Sequence, residues 1–151
     1  MKPLLLYLDN CCFNRPYDDQ GQLSVRLETE AVLAIRDAVQ RGAADIVWSY
    51  MLETENDDNP FIQRREAIGK WRTFAKVHVD GETEGIANAL AKFESNGVKP
   101  KDAVHIACAL AAQANYFITT DRKLLRRNVK EIQIISPIEL VRILEKGGGD
   151  D

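Results

Sequence analysis

Two histidines, three cysteines and two methionines are all that this 151-residue chain offers for soft or borderline metal ligation. Cys11, Cys12 and Cys108 are odd in number and lack the paired spacing of a zinc site. The adjacent pair cannot readily bridge, so a disulfide framework is excluded and the cysteines read as small buried hydrophobes. Long apolar runs are missing too: Ile106–Ala112 is far shorter than the roughly 20 residues of a membrane helix. The apolar run after Met1 reaches Asp9 too soon for a signal peptide, so a cytoplasmic protein with no membrane partner is expected. No repeat or Gly/Ser linker divides the chain. Nor is there an excess of positive charge. With 20 basic and 23 acidic residues the net charge is −3, which excludes a protein that coats nucleic acid by bulk electrostatics. Local basic groups remain compatible with that balance.

What is present is an ordinary globular composition, 45% hydrophobic and 28% charged. The length fits one domain, expected over 1–146, with the glycine-rich 147–151 as a flexible tail. Strand-like segments at Pro3–Leu8, Ala44–Trp48, Val77–Val79, Tyr116–Thr119 and Ile132–Ile135 alternate with helical ones. The helical segments are Ser24–Arg41, Ser49–Glu55, Pro60–Phe74, Glu82–Glu94, Pro100–Ala114 and Pro137–Glu145, with Asn14–Gln22 as a loop and a break at Asn96-Gly97. Such alternation implies an α/β fold, a three-layer sandwich around a central parallel sheet. Ligands in these folds bind beyond the carboxyl ends of the strands.

Acidic residues stand at those ends. Asp9 ends the first strand, Glu53 and Glu55 lie on the helix after the second, Asp102 opens the Pro100 helix, and Asp121 comes directly after Tyr116–Thr119 and Thr120. Each alone has a structural explanation as a turn residue, a helix-start carboxylate or a solvated helix residue. Brought together, they would repel one another unless a cation intervened. Oxygen donors with few histidines suit Mg²⁺ or Mn²⁺, and such ions serve phosphodiester hydrolysis.

Three segments carry a family resemblance: Tyr7-Leu8-Asp9-Asn10-Cys11-Cys12-Phe13-Asn14-Arg15-Pro16, Lys101-Asp102-Ala103-Val104-His105-Ile106-Ala107, and Phe117-Ile118-Thr119-Thr120-Asp121. In this order, at strand ends, the chain from Leu4 to about Leu144 resembles PIN-domain (PilT N-terminus) ribonucleases, many of them toxins of toxin–antitoxin pairs. The resemblance implies a PIN-like α/β/α fold and Mg²⁺- or Mn²⁺-dependent cleavage of RNA. It places metal-ligating, catalytic roles on Asp9, Glu55, Asp102 and Asp121, with Thr119 in support. Glu55 is counted from Ser49, and Glu53 is the alternative one helical phase away. An antitoxin protein and a second copy of the chain are the implied protein partners, with a dimer seam on the exposed faces of Ser24–Arg41 and Pro60–Phe74. The dense Asn14–Gln22 segment departs from compact members of the family.

Basic residues flank these acids. Arg15 lies shortly after Asp9, and Arg122-Lys123 and Arg126-Arg127 come after Asp121, with Arg15 and Arg122 as first candidates for substrate phosphates. Tyr17 is either a base-stacking residue or turn packing. His105, on the helix after Asp102, reads as a core residue satisfied by a neighbour, with lining of the cleft as the alternative, and Trp48 and Trp71 read as core. Two other acidic-site readings fail on spacing. Asp9 lacks the second acid of an Asp-x-Asp phosphatase, and no lysine and central-strand aspartate mark a receiver domain. The alternative from a different class is a catalytically silent PIN-fold binding or scaffold module.

Overall fold

A computed structural model describes residues 2–82, 86–95 and 97–149. Among the described residues five strands form one all-parallel sheet: β1 (Leu4–Leu8), β2 (Ala44–Ser49), β3 (Val77–Val79), β4 (Tyr116–Ile118) and β5 (Gln133–Ile135), in the order β3-β2-β1-β4-β5. The helices between them are α1 (Asn10–Asn14), α2 (Leu23–Gln40), α3 (Tyr50–Asp57), α4 (Ile62–Gly69), α5 (Ile86–Ser95), α6 (Pro100–Ala111), α7 (Arg122–Leu125) and α8 (Pro137–Gly149). Helix α2 packs against α8 and α5 against α6, with the sheet between the pairs, so the fold is a three-layer α/β/α sandwich. Leu6, Tyr7, Leu8, Ile46, Val47, Phe117 and Ile118 on the inner strands are buried on both faces, as a covered parallel sheet requires.

Chain order reverses at β1. From there the chain steps through β2 to β3 on one side, then returns to β4 and β5 on the other. Beyond the carboxyl ends of β1 and β4 therefore lies the switch point of the sheet, where such folds open a crevice. The register pairs Leu8 with Ile118, and the Asp9 amide donates to the Ile118 carbonyl at 2.8 Å. Asp9 and Thr119 thus emerge side by side.

Local chemistry explains the helix starts. Asp9 accepts from the Asn10 amide, Ser49 from the Leu52 amide and Asp121 from the Lys123 and Leu124 amides, each capping the helix after its strand. Pro100 and Asp102 open α6 with a missing donor and a carboxylate at the positive end of the helix. Gly42 closes α2 at φ +78°, with its own amide and that of Ala43 satisfying the Val39 and Ala38 carbonyls.

Three expectations shift. Asn14–Gln22 is not a plain loop: Asn14 ends α1 and Arg15–Tyr17 is a 3₁₀ turn, because Pro16 fixes a helical φ while Arg15 is anchored to Asp18 and Glu28. The Pro60–Phe74 helix starts at Ile62 and tightens to a 3₁₀ turn over Lys70–Phe74. Helix α8 runs to Gly149, past the Glu145 end expected for it, while Asp150 and Asp151 lie outside the described residues. The break at Asn96 also falls outside them, and Gly97 beside it has φ +80°.

Candidate active site

Asp9 is 9% exposed at the end of β1, and its two carboxylate oxygens are held separately. Oδ1 accepts the Asn10 amide at 2.8 Å and Oδ2 accepts the Thr119 hydroxyl at 2.9 Å. Thr119, fully buried, also accepts the Asp121 amide at 3.1 Å through the same oxygen. One hydroxyl therefore ties the end of β1 to the start of α7. Cys11 fills the remaining side of this knot, its Sγ 3.4 Å from Thr119 Oγ1 and 3.5 Å from Asp9 Oδ2. Contact with the Cys12 thiol is foremost in holding the Cys11 pKa below its usual value.

The two glutamates on α3 part company. Residues two apart on a helix point about 200° from each other, so at most one can face a given cleft. Glu55 Oε1 lies 2.6 Å from His105 Nε2, and the same nitrogen is 3.9 Å from Asp9 Oδ1. Glu53 instead accepts the Trp48 indole N–H at 2.9 Å and the Arg72 guanidinium at 2.7 Å. Burial pushes the Glu53 carboxyl up, but these two bonds outweigh it and hold it below its usual range.

Asp102 completes the acidic face from α6. Its pKa is raised first by burial, then by the Asp9 and Asp121 carboxylates, with His105 and Lys99 opposing. The Asp9 and Asp121 carboxylates thus both act on Asp102, and Asp9 Oδ1 and Glu55 Oε1 approach the same His105 nitrogen. The four acids come from four separate elements and offer oxygen alone, the donor chemistry of a hard divalent cation. Among the described residues no three histidine, cysteine or carboxylate side chains are set as a ready-made metal cage. Glu55 is turned onto His105 and Asp121 onto its own helix cap.

Arg15 and Arg122 differ sharply. The Arg15 guanidinium is engaged by Asp18 at 3.1 Å and Glu28 at 3.2 Å, so its charge is answered within the fold. Arg122 is exposed directly after Asp121. Beyond it opens a groove of about 700 Å³, lined by Lys92, Lys123, Arg126, Arg127 and Lys130, with Glu131 paired to Lys92. Lys92 had no signal in sequence, because it lies 34 positions before Arg126 and reaches the groove only through the packing of α5.

Tyr7 was missed as a site residue. Its signal was a phenol inside the apolar Leu4–Leu8 strand, since a buried tyrosine hydroxyl must find a partner. It finds two, Ser49 Oγ at 2.7 Å and His105 Nδ1 at 2.6 Å. Burial above all keeps its pKa well above the usual value. Tyr17 is 41% exposed, its ring under the Arg64 guanidinium, which also lies over Phe61. Phe61 and Ile62 at the start of α4, and Leu23 and Leu27 on α2, are exposed apolar residues on the two helices expected to form a seam. Trp48 and Trp71 are core, both edge-on to Phe13.

No protein-family model and no curated protein matches this sequence. Among solved structures, the chain is similar to one in the crystal structure of VapBC2 from Rickettsia felis bound to a DNA fragment from their promoter. The TM-score is 0.56 at 12% identity, over 88% of this chain and 98% of that one. At that identity the likeness is one of fold, and it extends over nearly the whole of both chains.

Proposed function

We propose that this chain, whose fold is PIN-like, is a Mg²⁺- or Mn²⁺-dependent endoribonuclease that hydrolyses RNA phosphodiester bonds. The observation that carries the reading is the convergence at the switch point of the sheet. Asp9 Oδ1 and Glu55 Oε1 lie 3.9 Å and 2.6 Å from the same His105 nitrogen, and burial and then the Asp9 and Asp121 carboxylates raise the Asp102 pKa. Asp9, Glu55, Asp102 and Asp121 would hold the cation. When bound, it supplies a Lewis acid that lowers the pKa of water and offsets charge developing on the phosphoryl oxygens.

The chain's own residues do the rest. Thr119 and the Asn10 amide keep both Asp9 oxygens oriented. A carboxylate on this face accepts the proton of the attacking water. Arg122 and the cations of the neighbouring groove bind the phosphates of single-stranded or structured RNA and set its register. Arg15, already neutralised, acts in the fold instead.

The neighbour's crystal structure is that of VapBC2, and by analogy we assign an antitoxin as this chain's protein partner. The exposed Leu23, Leu27, Phe61 and Ile62 support a protein partner, either an antitoxin or a second copy of the chain. A catalytically silent PIN-fold scaffold is the rival, favoured by the lack of a ready-made cage among the described residues.

The deciding experiment is cleavage of single-stranded RNA by purified protein with Mg²⁺, with Mn²⁺ and with excess chelator. Cleavage is expected with either ion, none with chelator, and none from Asp9→Asn in any condition. Hydrolysis that survives chelator or Asp9→Asn overturns the mechanism. A protein that neither cuts RNA nor gains melting temperature with Mn²⁺ is the scaffold.

A further inference from the structure

We infer that His105 is a positioning residue for Glu55, with Tyr7 as the group that fixes the imidazole from behind. His105 is 2% exposed and both ring nitrogens are engaged, Nδ1 at 2.6 Å from Tyr7 Oη and Nε2 at 2.6 Å from Glu55 Oε1. Tyr7 Oη in turn lies 2.7 Å from Ser49 Oγ, which accepts the Leu52 amide at 3.2 Å. These contacts join β1, α3 and α6 through one line of polar side chains.

For a neutral imidazole facing an ionised Glu55, what each group can donate sets the direction of the line. An ionised carboxylate only accepts, so the proton between His105 and Glu55 sits on Nε2. With the imidazole neutral, Nδ1 accepts the single Tyr7 proton, which leaves Tyr7 Oη to accept from the Ser49 hydroxyl while Ser49 Oγ takes the Leu52 N–H. In this order each donor meets one acceptor, from the Leu52 amide through Ser49, Tyr7 and His105 to Glu55. A line with no mismatch suits a buried polar network, where a half-satisfied one is worse than an apolar core.

Rigidity runs the same way. Tyr7 is fully buried and stacked on Phe117, ring centroids 5.3 Å apart at 11°. His105 packs edge-on to Tyr7 with centroids 5.7 Å apart. Glu55 has the partly exposed, flexible side chain, and the line gives it a fixed address. Because Nε2 is also 3.9 Å from Asp9 Oδ1, one N–H spans the space between two carboxylates that would otherwise repel. The proposal rests on the metal-dependent reading above, and its test separates the two.

Mn²⁺ affinity is measured by calorimetry for wild type, Tyr7→Phe, His105→Ala and Glu55→Gln, and for each of the first two substitutions combined with Glu55→Gln. Removal of an outer partner of a metal ligand typically lowers affinity about 10–100-fold. A loss in that range is expected for His105→Ala and a smaller, several-fold loss for Tyr7→Phe. Neither should weaken binding further once Glu55 is Gln. In the RNA assay kcat should fall while KM for RNA holds, since the substrate track is elsewhere. Equal losses with and without the Glu55 carboxylate mean that His105 acts structurally, and the proposal is overturned. So is it if Glu55→Gln weakens Mn²⁺ binding while Tyr7→Phe and His105→Ala leave it unchanged. If Glu55→Gln itself leaves Mn²⁺ affinity unchanged, the metal role of Glu55 fails instead. A metal-free readout then decides the contact. The His105 Nε2 proton should give a slowly exchanging, downfield NMR signal that moves in both Glu55→Ala and Tyr7→Phe. A signal that ignores both substitutions overturns the proposal.

Discussion

Thr119 Oγ1 donates to Asp9 Oδ2 at 2.9 Å while accepting the Asp121 amide at 3.1 Å, so one buried hydroxyl sets the spacing of two acids 112 residues apart in sequence. Thr119→Val keeps the shape and removes both bonds. The loss of a buried hydrogen-bond partner to a charged group costs about 1–3 kcal/mol, so chemical denaturation should show that loss. Mn²⁺ affinity should fall as well, because Asp9 loses the bond that orients it. Thr119→Ser retains the hydroxyl and should recover most of both. A valine variant with unchanged metal affinity would make Thr119 a fold residue alone.

Glu53 and Glu55 give a sharper contrast within one helix. Glu55→Gln should weaken Mn²⁺ binding and slow RNA cleavage by orders of magnitude, since it removes charge from the acidic face. Glu53→Gln should leave both unchanged, its bonds running to Trp48 and Arg72 on the other side. The Arg72 pair is half-exposed and worth at most about 1 kcal/mol after solvent screening, so a small drop in melting temperature is the expected trace. The reverse pattern of activities would place the second acid at Glu53.

How far these assignments were legible in the sequence depends on the kind of signal. Strand ends were legible, because Asp9, Ser49 and Asp121 each come after an apolar run and each caps the next helix. The choice between Glu53 and Glu55 needed helix phase relative to a cleft, which depends on where α3 docks, and one-residue errors in a helix start are enough to blur it. Helix α1 was hidden because five residues are too few for a 3.6-residue period to emerge. His105 reads in sequence as a satisfied core histidine or as one lining the cleft, and it is buried and bonded to Glu55, an acid of the proposed site. That distinction lives in a contact across 50 positions, out of reach of local pattern. The basic groove depends in the same way on α5 meeting the loop after α7.

Asp102 offers a test by pH. Its carboxyl titrates above the ordinary value through burial and the nearby Asp9 and Asp121 carboxylates, so ionising it costs the folded state more than the unfolded one. Below the unfolded value of about 3.9 Asp102 is protonated in both states and carries no penalty. The penalty grows as pH rises through the folded value and is complete above it. Metal-free Asp102→Asn should therefore melt higher than wild type at pH 7, the gain shrinking as pH falls toward the ordinary aspartate range. Added Mg²⁺ should reverse the order by stabilising wild type alone. A variant that is less stable at pH 7 without metal would show that Asp102 is held by favourable contacts rather than repelled.

The basic groove makes a prediction in salt. Single-stranded nucleic acid releases counterions on binding, and the logarithm of affinity falls with the logarithm of salt by about 0.7 per phosphate neutralised. Lys123 and Arg126 line the groove next to Asp121 and are both exposed. Lys123→Gln combined with Arg126→Gln should flatten the slope for RNA binding by about 1.4 if both contact phosphates. Cleavage at saturating RNA should continue at the wild-type rate, because the Lys123 bond to Asp121 runs through the backbone amide and survives the substitution, so the change should fall on KM. Arg15→Gln is the counterpart: with its guanidinium committed to Asp18 and Glu28, it should lower stability and leave the slope unchanged. A slope that responds to Arg15 and not to the Lys123–Arg126 pair would move the path of the RNA to the opposite side of Asp9.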